Sequence, residues 1–202
     1  MAPEKSIKSQ RQIFSMWTIP NILTTLRVFL IPIFVIVYFL DWQWAHQTAA
    51  LLFWLAAITD WFDGYLARRL GQTTAFGAFF DPVADKLIVC AALLMIIHHY
   101  DTVWITVSAI LLMSREIFVS ALREWMAESG KSAEVRVSFI GKAKTMAQML
   151  ALIGLLSELE VFMGIPIYWV TLGKILLAIA TVLSVWSMLL YLKAAWKHLV
   201  AE

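Results

Sequence analysis

Several apolar runs of about 20 residues, each long enough to cross the hydrocarbon core of a bilayer as a helix, constrain this chain more than any other feature. Inside lipid no water is available to backbone N–H and C=O groups, so each run must satisfy its own, which a helix does. Composition agrees. Of 202 residues, 61% are apolar and 15% charged, where soluble domains carry roughly half and a quarter. A soluble domain with a greasy core would need shorter runs. The expected fold is therefore an all-α integral membrane protein with six transmembrane helices, at Asn21 to Leu40, Gln47 to Arg69, Asp81 to His98, Val103 to Glu128, Phe139 to Leu156 and Tyr168 to Ala195. No internal repeat, low-complexity segment or long linker separates them, so residues 19–202 read as one membrane domain.

Residues 1–18 are polar up to about Ser15. The apolar run that follows exceeds the length of a signal-peptide core, so the first span is expected to be retained. Ile7, Ile13, Phe14 and Trp17, set among Lys5, Lys8 and Arg11, give a short N-terminal cytoplasmic helix lying in the membrane surface. Basic residues near span ends stay on the cytoplasmic side. Here they alternate without exception: Lys5, Lys8 and Arg11 before the first span, Arg68 and Arg69 after the second, Lys131, Arg136, Lys142 and Lys144 between the fourth and fifth, Lys193 and Lys197 at the end. The opposite connections carry Asp41, Asp101, Glu158 and Glu160 and no Lys or Arg. Both termini should then face the cytoplasm. A net charge of +2 without a basic stripe excludes nucleic acid as a partner. The single Cys90 excludes an internal disulfide and a paired-cysteine metal site.

An acidic residue in a spanning helix costs about 2.5 to 3.5 kcal/mol on insertion scales, so four of them in and beside two consecutive spans need a cause. Asp60 and Asp63 are three apart and Asp81 and Asp85 four apart, each pair on one helical face. Helices meeting through these faces would gather four carboxylates near the cytoplasmic surface, where they repel one another unless a cation intervenes. Oxygen-only ligands favour Mg²⁺ or Mn²⁺ over zinc or copper. A pair of such ions bridged by carboxylates is a recurring device for displacement at phosphorus. Gly64 and Ala67 follow Asp60 on the same face and Gly77 precedes Asp81, so the wall beside the acids is free of bulk and open to a large ligand.

These positions spell D-x2-D-G-x2-A-R-x8-G-x3-D-x3-D without a departure, from Asp60 through Asp63, Gly64, Ala67, Arg68, Gly77 and Asp81 to Asp85. That string resembles the signature of the CDP-alcohol phosphotransferase family. The resemblance implies a six-helix membrane fold, a homodimer, and an active site open to the cytoplasm. It implies that Asp60, Asp63 and Asp81 ligate two divalent cations and that Asp85 completes the site and acts as general base. Asp63, Gly64, Ala67, Arg68 and Gly77 would line the pocket for the CDP-linked lipid.

The motif leaves the acceptor alcohol open. Arg115, Arg123, Lys142 and Lys144, with Arg27 at the start of the first span, form a cationic set outside the motif, suited to an acceptor that already carries phosphate. Lys142 and Lys144 are two apart, so at most one should point inward. The competing reading pairs Arg115 with Glu116, Glu124 or Glu128 and treats the lysines as topology signals. Beyond the motif, Ile19 to Phe34, Ser114 to Glu128 and Ile140 to Met149 resemble the bacterial members of the family that make phosphatidylglycerophosphate. That resemblance implies CDP-diacylglycerol as donor, sn-glycerol 3-phosphate as acceptor, and residence in the bacterial cytoplasmic (inner) membrane. A sister enzyme using inositol phosphate, serine or another alcohol is the alternative within the class. A cation-coupled transporter is the alternative outside it, opposed by acids gathered at one face and by the lack of an inverted repeat. His98 and His99 fall on the side away from the acids and are not expected to be ligands.

Overall fold

The computed structural model describes residues 19–70, 75–128, 139–162, 165–166 and 168–199. They form six helices: α1 (Ile19–Tyr38), α2 (Ala45–Leu70), α3 (Ala75–Tyr100), α4 (Val103–Glu128), α5 (Phe139–Ser157) and α6 (Trp169–Leu199). Among the described residues, two of these, α4 over Val103–Met126 and α6 over Trp169–Lys193, are long and apolar enough to cross a bilayer. Counted over the described side chains alone, the apolar stretches Ile22–Tyr38, Ala45–Thr59 and Ala143–Ser157 are shorter. The interfacial helix expected within residues 1–18 lies outside the described residues. Helix α3 begins at Ala75, ahead of the Asp81 at which the hydropathy reading started it, so Asp81 and Asp85 stand about two and three turns inside a helix. The all-α expectation holds among the described residues, with one small addition. Between α5 and α6 a two-residue antiparallel ribbon pairs Val161 with Pro166 and Phe162 with Ile165, too short for any period to announce it.

The chain divides into two compact units, residues 1–91 and 92–202, with the helical run of α3 passing from one into the other. In the first unit α1 packs along α2. Phe34 meets Phe53 with ring centroids 6.0 Å apart, and both are fully buried. Ala49, Ala50 and Ala56 on α2 keep that interface thin enough for the phenylalanines to fill it. At the α1–α2 turn the Tyr38 ring stacks on His46 at 4.6 Å. The outward faces carry Phe29, Ile33, Ile36, Trp54 and Leu55, large apolar side chains in the density that lipid covers.

In the second unit α6 is the central post against which α4 and α5 pack. Backbones of α5 and α6 approach most closely at Gly154 and Gly173. A Cβ on Gly154 would stand 2.9 Å from the Trp169 carbonyl oxygen and 3.3 Å from Gly173 Cα; one on Gly173 would meet Leu155 Cγ at 3.1 Å and the Ala151 carbonyl at 3.2 Å. Association of helices in lipid depends on such close packing, because lipid tails remove the hydrophobic drive. Gly154→Ala is therefore expected to destabilise the protein by about 1–3 kcal/mol, the cost of overpacking against a backbone that must move. A melting curve in detergent reads this as an earlier transition; an unchanged one would mean the crossing is slack.

At the end of the unit where α3 and α5 terminate, polar groups close the structure. The Tyr100 hydroxyl donates to the Leu155 carbonyl at 3.0 Å. Burial, with Glu158 and Glu160 nearby, pushes that hydroxyl above its ordinary range, so it stays protonated and keeps donating. His99 pairs with Glu158 at 2.9 Å, and the Lys174 ammonium stands 5.2 Å from the Tyr100 ring centroid. Asp101 and Glu158, each just past a helix end, take φ of 37° and 49°, the left-handed turn that stops a helix.

Candidate active site

Helix α2 remains helical through Asp60, Asp63, Gly64, Ala67 and Arg68. The side chains of these five lie outside the described residues; the backbone places Asp60, Asp63, Gly64 and Ala67 on one face. On α3, Asp81 and Asp85 share a face, and Gly77 is buried in the turn before them. The partners of these two acids come from α1. Thr24 Oγ1 donates to Asp81 Oδ1 at 2.5 Å, and Arg27 Nη1 donates to Asp85 Oδ1 at 2.6 Å. Thr24 and Arg27 are three apart and Asp81 and Asp85 four apart, so two helical steps on α1 match two on α3.

Exposure shows what this ladder does. Arg27 is 1% exposed, whereas the Asp85 side chain is 44% exposed. A buried guanidinium requires an anionic partner, and Asp85 meets that need with Oδ1 while much of its carboxylate stays open. The carboxylates offer oxygen donors only, which fits a hard divalent cation. With Asp60 and Asp63 on the α2 face, Asp81 and Asp85 are the residues that would hold such ions.

The sequence reading grouped Arg27 with the acceptor-phosphate candidates. The structure pairs it with Asp85. Thr24 was not singled out at all. Its signal, a polar residue one turn from an arginine in an apolar helix, is visible in retrospect, but its partner is set by how α1 and α3 meet.

A second group of charges lies in the second unit. Arg115 on α4 is 6% exposed and Lys144 on α5 is 4% exposed. Arg115 Nη2 pairs with Glu116 at 2.6 Å, one of the partners the competing reading allowed. Its buried Nε has no hydrogen-bond partner among the described residues. Arg115 and Arg123 both act electrostatically on Lys144, so the three cations are near neighbours. Arg123, toward the end of α4, bonds the Tyr191 hydroxyl. The side chain of Lys142 lies outside the described residues; that of Lys144 points inward.

The balance of charge is the chief property of this group. Glu116 is the one acid among the described residues that an ion pair brings to these three cations, which leaves positive charge in a poorly solvated place. Such an excess costs free energy unless an anion arrives. The structure also buries polar side chains that the sequence reading did not single out. Gln148 is buried one turn beyond Lys144, and Ser184 of α6 is fully buried with its Oγ lacking a partner among the described residues. Thr181, by contrast, bonds back to the Leu177 carbonyl at 2.8 Å, the usual resting place of such a hydroxyl in a helix. The signal was a polar stripe along α6, Thr181, Ser184, Ser187 and Tyr191, spaced three or four apart in an otherwise apolar helix.

Two groups of charge thus lie in the fold, carboxylates on α2 and α3 in the first unit and cations on α4 and α5 in the second. Residues 17–186 match the family described as CDP-alcohol phosphatidyltransferase, and the chain belongs to that family, a transferase of phospholipid biosynthesis. Among its relatives, a protein of Salmonella typhimurium is 53% identical over 180 residues, covering 89% of this chain and 95% of its own. One of Yersinia pseudotuberculosis is 52% identical over 183 residues, 90% of this chain and 97% of its own. Both are named CDP-diacylglycerol–glycerol-3-phosphate 3-phosphatidyltransferase.

Proposed function

We propose that the protein transfers the phosphatidyl group of CDP-diacylglycerol to sn-glycerol 3-phosphate, releasing CMP and forming phosphatidylglycerophosphate. Identity above one half with the named relatives, over nearly the full length of both chains, is the observation that carries this reading. The excess of buried positive charge at Arg115 and Lys144 supports an acceptor bearing phosphate.

Two divalent cations, Mg²⁺ or Mn²⁺, held by Asp60, Asp63, Asp81 and Asp85, would supply neutralisation of the pyrophosphate charge. The chain's own residues do the rest. Gly64, Ala67 and Gly77 leave room for cytidine diphosphate, with Arg68 at the cytoplasmic end of α2 placed for a phosphate. Arg115, Arg123, Lys144 and, at the same helix end, Lys142 bind the acceptor's phosphate. Arg27 holds Asp85 by Oδ1 and thereby orients its open side. The Asp85 carboxylate takes the proton of the acceptor hydroxyl as that oxygen bonds to the lipid-side phosphorus. The bond from this phosphorus to CMP breaks, and CMP leaves with the electron pair. A carboxylate is a weak base toward an alcohol, so the proton moves late, as it loosens in the transition state.

The same reading makes all six helices membrane spans, with residues 1–18 and both termini cytoplasmic, in a homodimer of the bacterial inner membrane. The test is metal removal. Incorporation of labelled glycerol 3-phosphate into lipid should stop in EDTA and return with added Mg²⁺ or Mn²⁺; transfer that persists without metal would overturn the role given to the four aspartates.

A further inference from the structure

Arg123 is solvent-exposed near the end of α4, where an arginine ordinarily wanders among many rotamers. This one is held. Its Nη2 donates to the Tyr191 hydroxyl at 2.7 Å, and its guanidinium carbon lies 5.1 Å from the Tyr191 ring centroid. Tyr191 comes from α6 and, with Trp125, packs on the buried pair Leu122 and Met126 of α4. The ring is therefore pinned against the helix that carries Arg123, one residue from Leu122.

Packing accounts for the ring but not for the hydroxyl. Phenylalanine would cover Leu122 and Met126 equally well, and a hydrogen bond to an exposed arginine adds little to stability in competition with water. What the hydroxyl does is fix a plane. It engages one of the five guanidinium N–H donors and leaves the others in a set fork, the arrangement that takes two phosphate oxygens at once.

We propose that Tyr191 is a positioning residue for the acceptor: it holds the Arg123 guanidinium ready for the phosphate of the incoming alcohol, removing rotamer freedom that would otherwise be lost on binding. This rests on the reading that Arg123 binds that phosphate.

Steady-state kinetics of Tyr191→Phe, Arg123→Ala and the double variant test it, with glycerol 3-phosphate and CDP-diacylglycerol varied in turn. Tyr191→Phe should raise the KM for glycerol 3-phosphate by about threefold to tenfold, the effect expected of one hydrogen bond of ordinary net strength. The change should fall on that KM and neither on kcat nor on the KM for CDP-diacylglycerol, which serves as the folding control within the same preparation. In the Arg123→Ala background the second substitution should add nothing. An unchanged acceptor KM, a fall in kcat with both KM values rising together, or a full additive effect in the double variant would overturn the proposal. If Arg123→Ala itself leaves the acceptor KM unchanged, the phosphate reading of Arg123 fails, an outcome distinct from a failure of Tyr191 alone.

Discussion

Asp85→Asn should lower the rate of CMP release by about a thousandfold, within the range lost when a general base is removed, and should leave the protein folded. Asparagine keeps the shape of aspartate, and its carbonyl oxygen can still accept from Arg27 where Asp85 Oδ1 does at 2.6 Å. Only the charge and the ability to take a proton are gone. Loss of the charge leaves Arg27, 1% exposed, facing a neutral partner, so the melting temperature should fall modestly. The KM for glycerol 3-phosphate should hold, because the carboxylate acts on the acceptor's hydroxyl in the transition state and not on its phosphate. Release of CMP measured chromatographically, beside a melting curve, separates this from collapse. Full activity in the variant would move the base elsewhere.

The second large effect is expected at Arg27. Arg27→Met replaces a buried guanidinium with an apolar chain of comparable reach and leaves the Asp85 carboxylate without the donor that orients it. Removing one member of a fully buried pair costs about 3–5 kcal/mol. Here Asp85 is 44% exposed and keeps water, so the stability loss should be smaller, about 1–2 kcal/mol. The kinetic loss should be larger, about a hundredfold in kcat, since a misplaced catalytic group is felt steeply. The pattern discriminates between two roles for this residue. If Arg27 orients the base, kcat falls and the KM for glycerol 3-phosphate stays; if it binds the acceptor phosphate, that KM rises.

That distinction marks what could be read in the sequence and what could not. Asp60, Asp63, Asp81 and Asp85 were legible because carboxylates in apolar runs demand a cause, and their spacing puts each pair on one face whatever the neighbours do. The same acids blur the helix boundaries. Helix α3 starts ahead of Asp81 although hydropathy alone begins there. Partner choice was not legible. Arg27 could have met a ligand or an acid, and only the matched register of α1 and α3 decides for Asp85. Between Lys142 and Lys144 the helical period set the two on different faces but did not choose; Lys144 is buried. Tyr191 and Ser184 were lost among the apolar residues of α6, since nothing local tells a packed tyrosine from one that holds an arginine.

The central claim, phosphatidyl transfer from CDP-diacylglycerol to glycerol 3-phosphate, is tested most directly by CMP release from detergent-purified protein. CDP-diacylglycerol and Mg²⁺ are supplied with glycerol 3-phosphate, inositol phosphate, serine or phosphatidylglycerol in parallel. Release with glycerol 3-phosphate alone is the expected result. Release with a different acceptor would contradict the choice of alcohol while keeping the chemistry, and no release with any acceptor, from folded protein with metal present, would contradict the transfer itself.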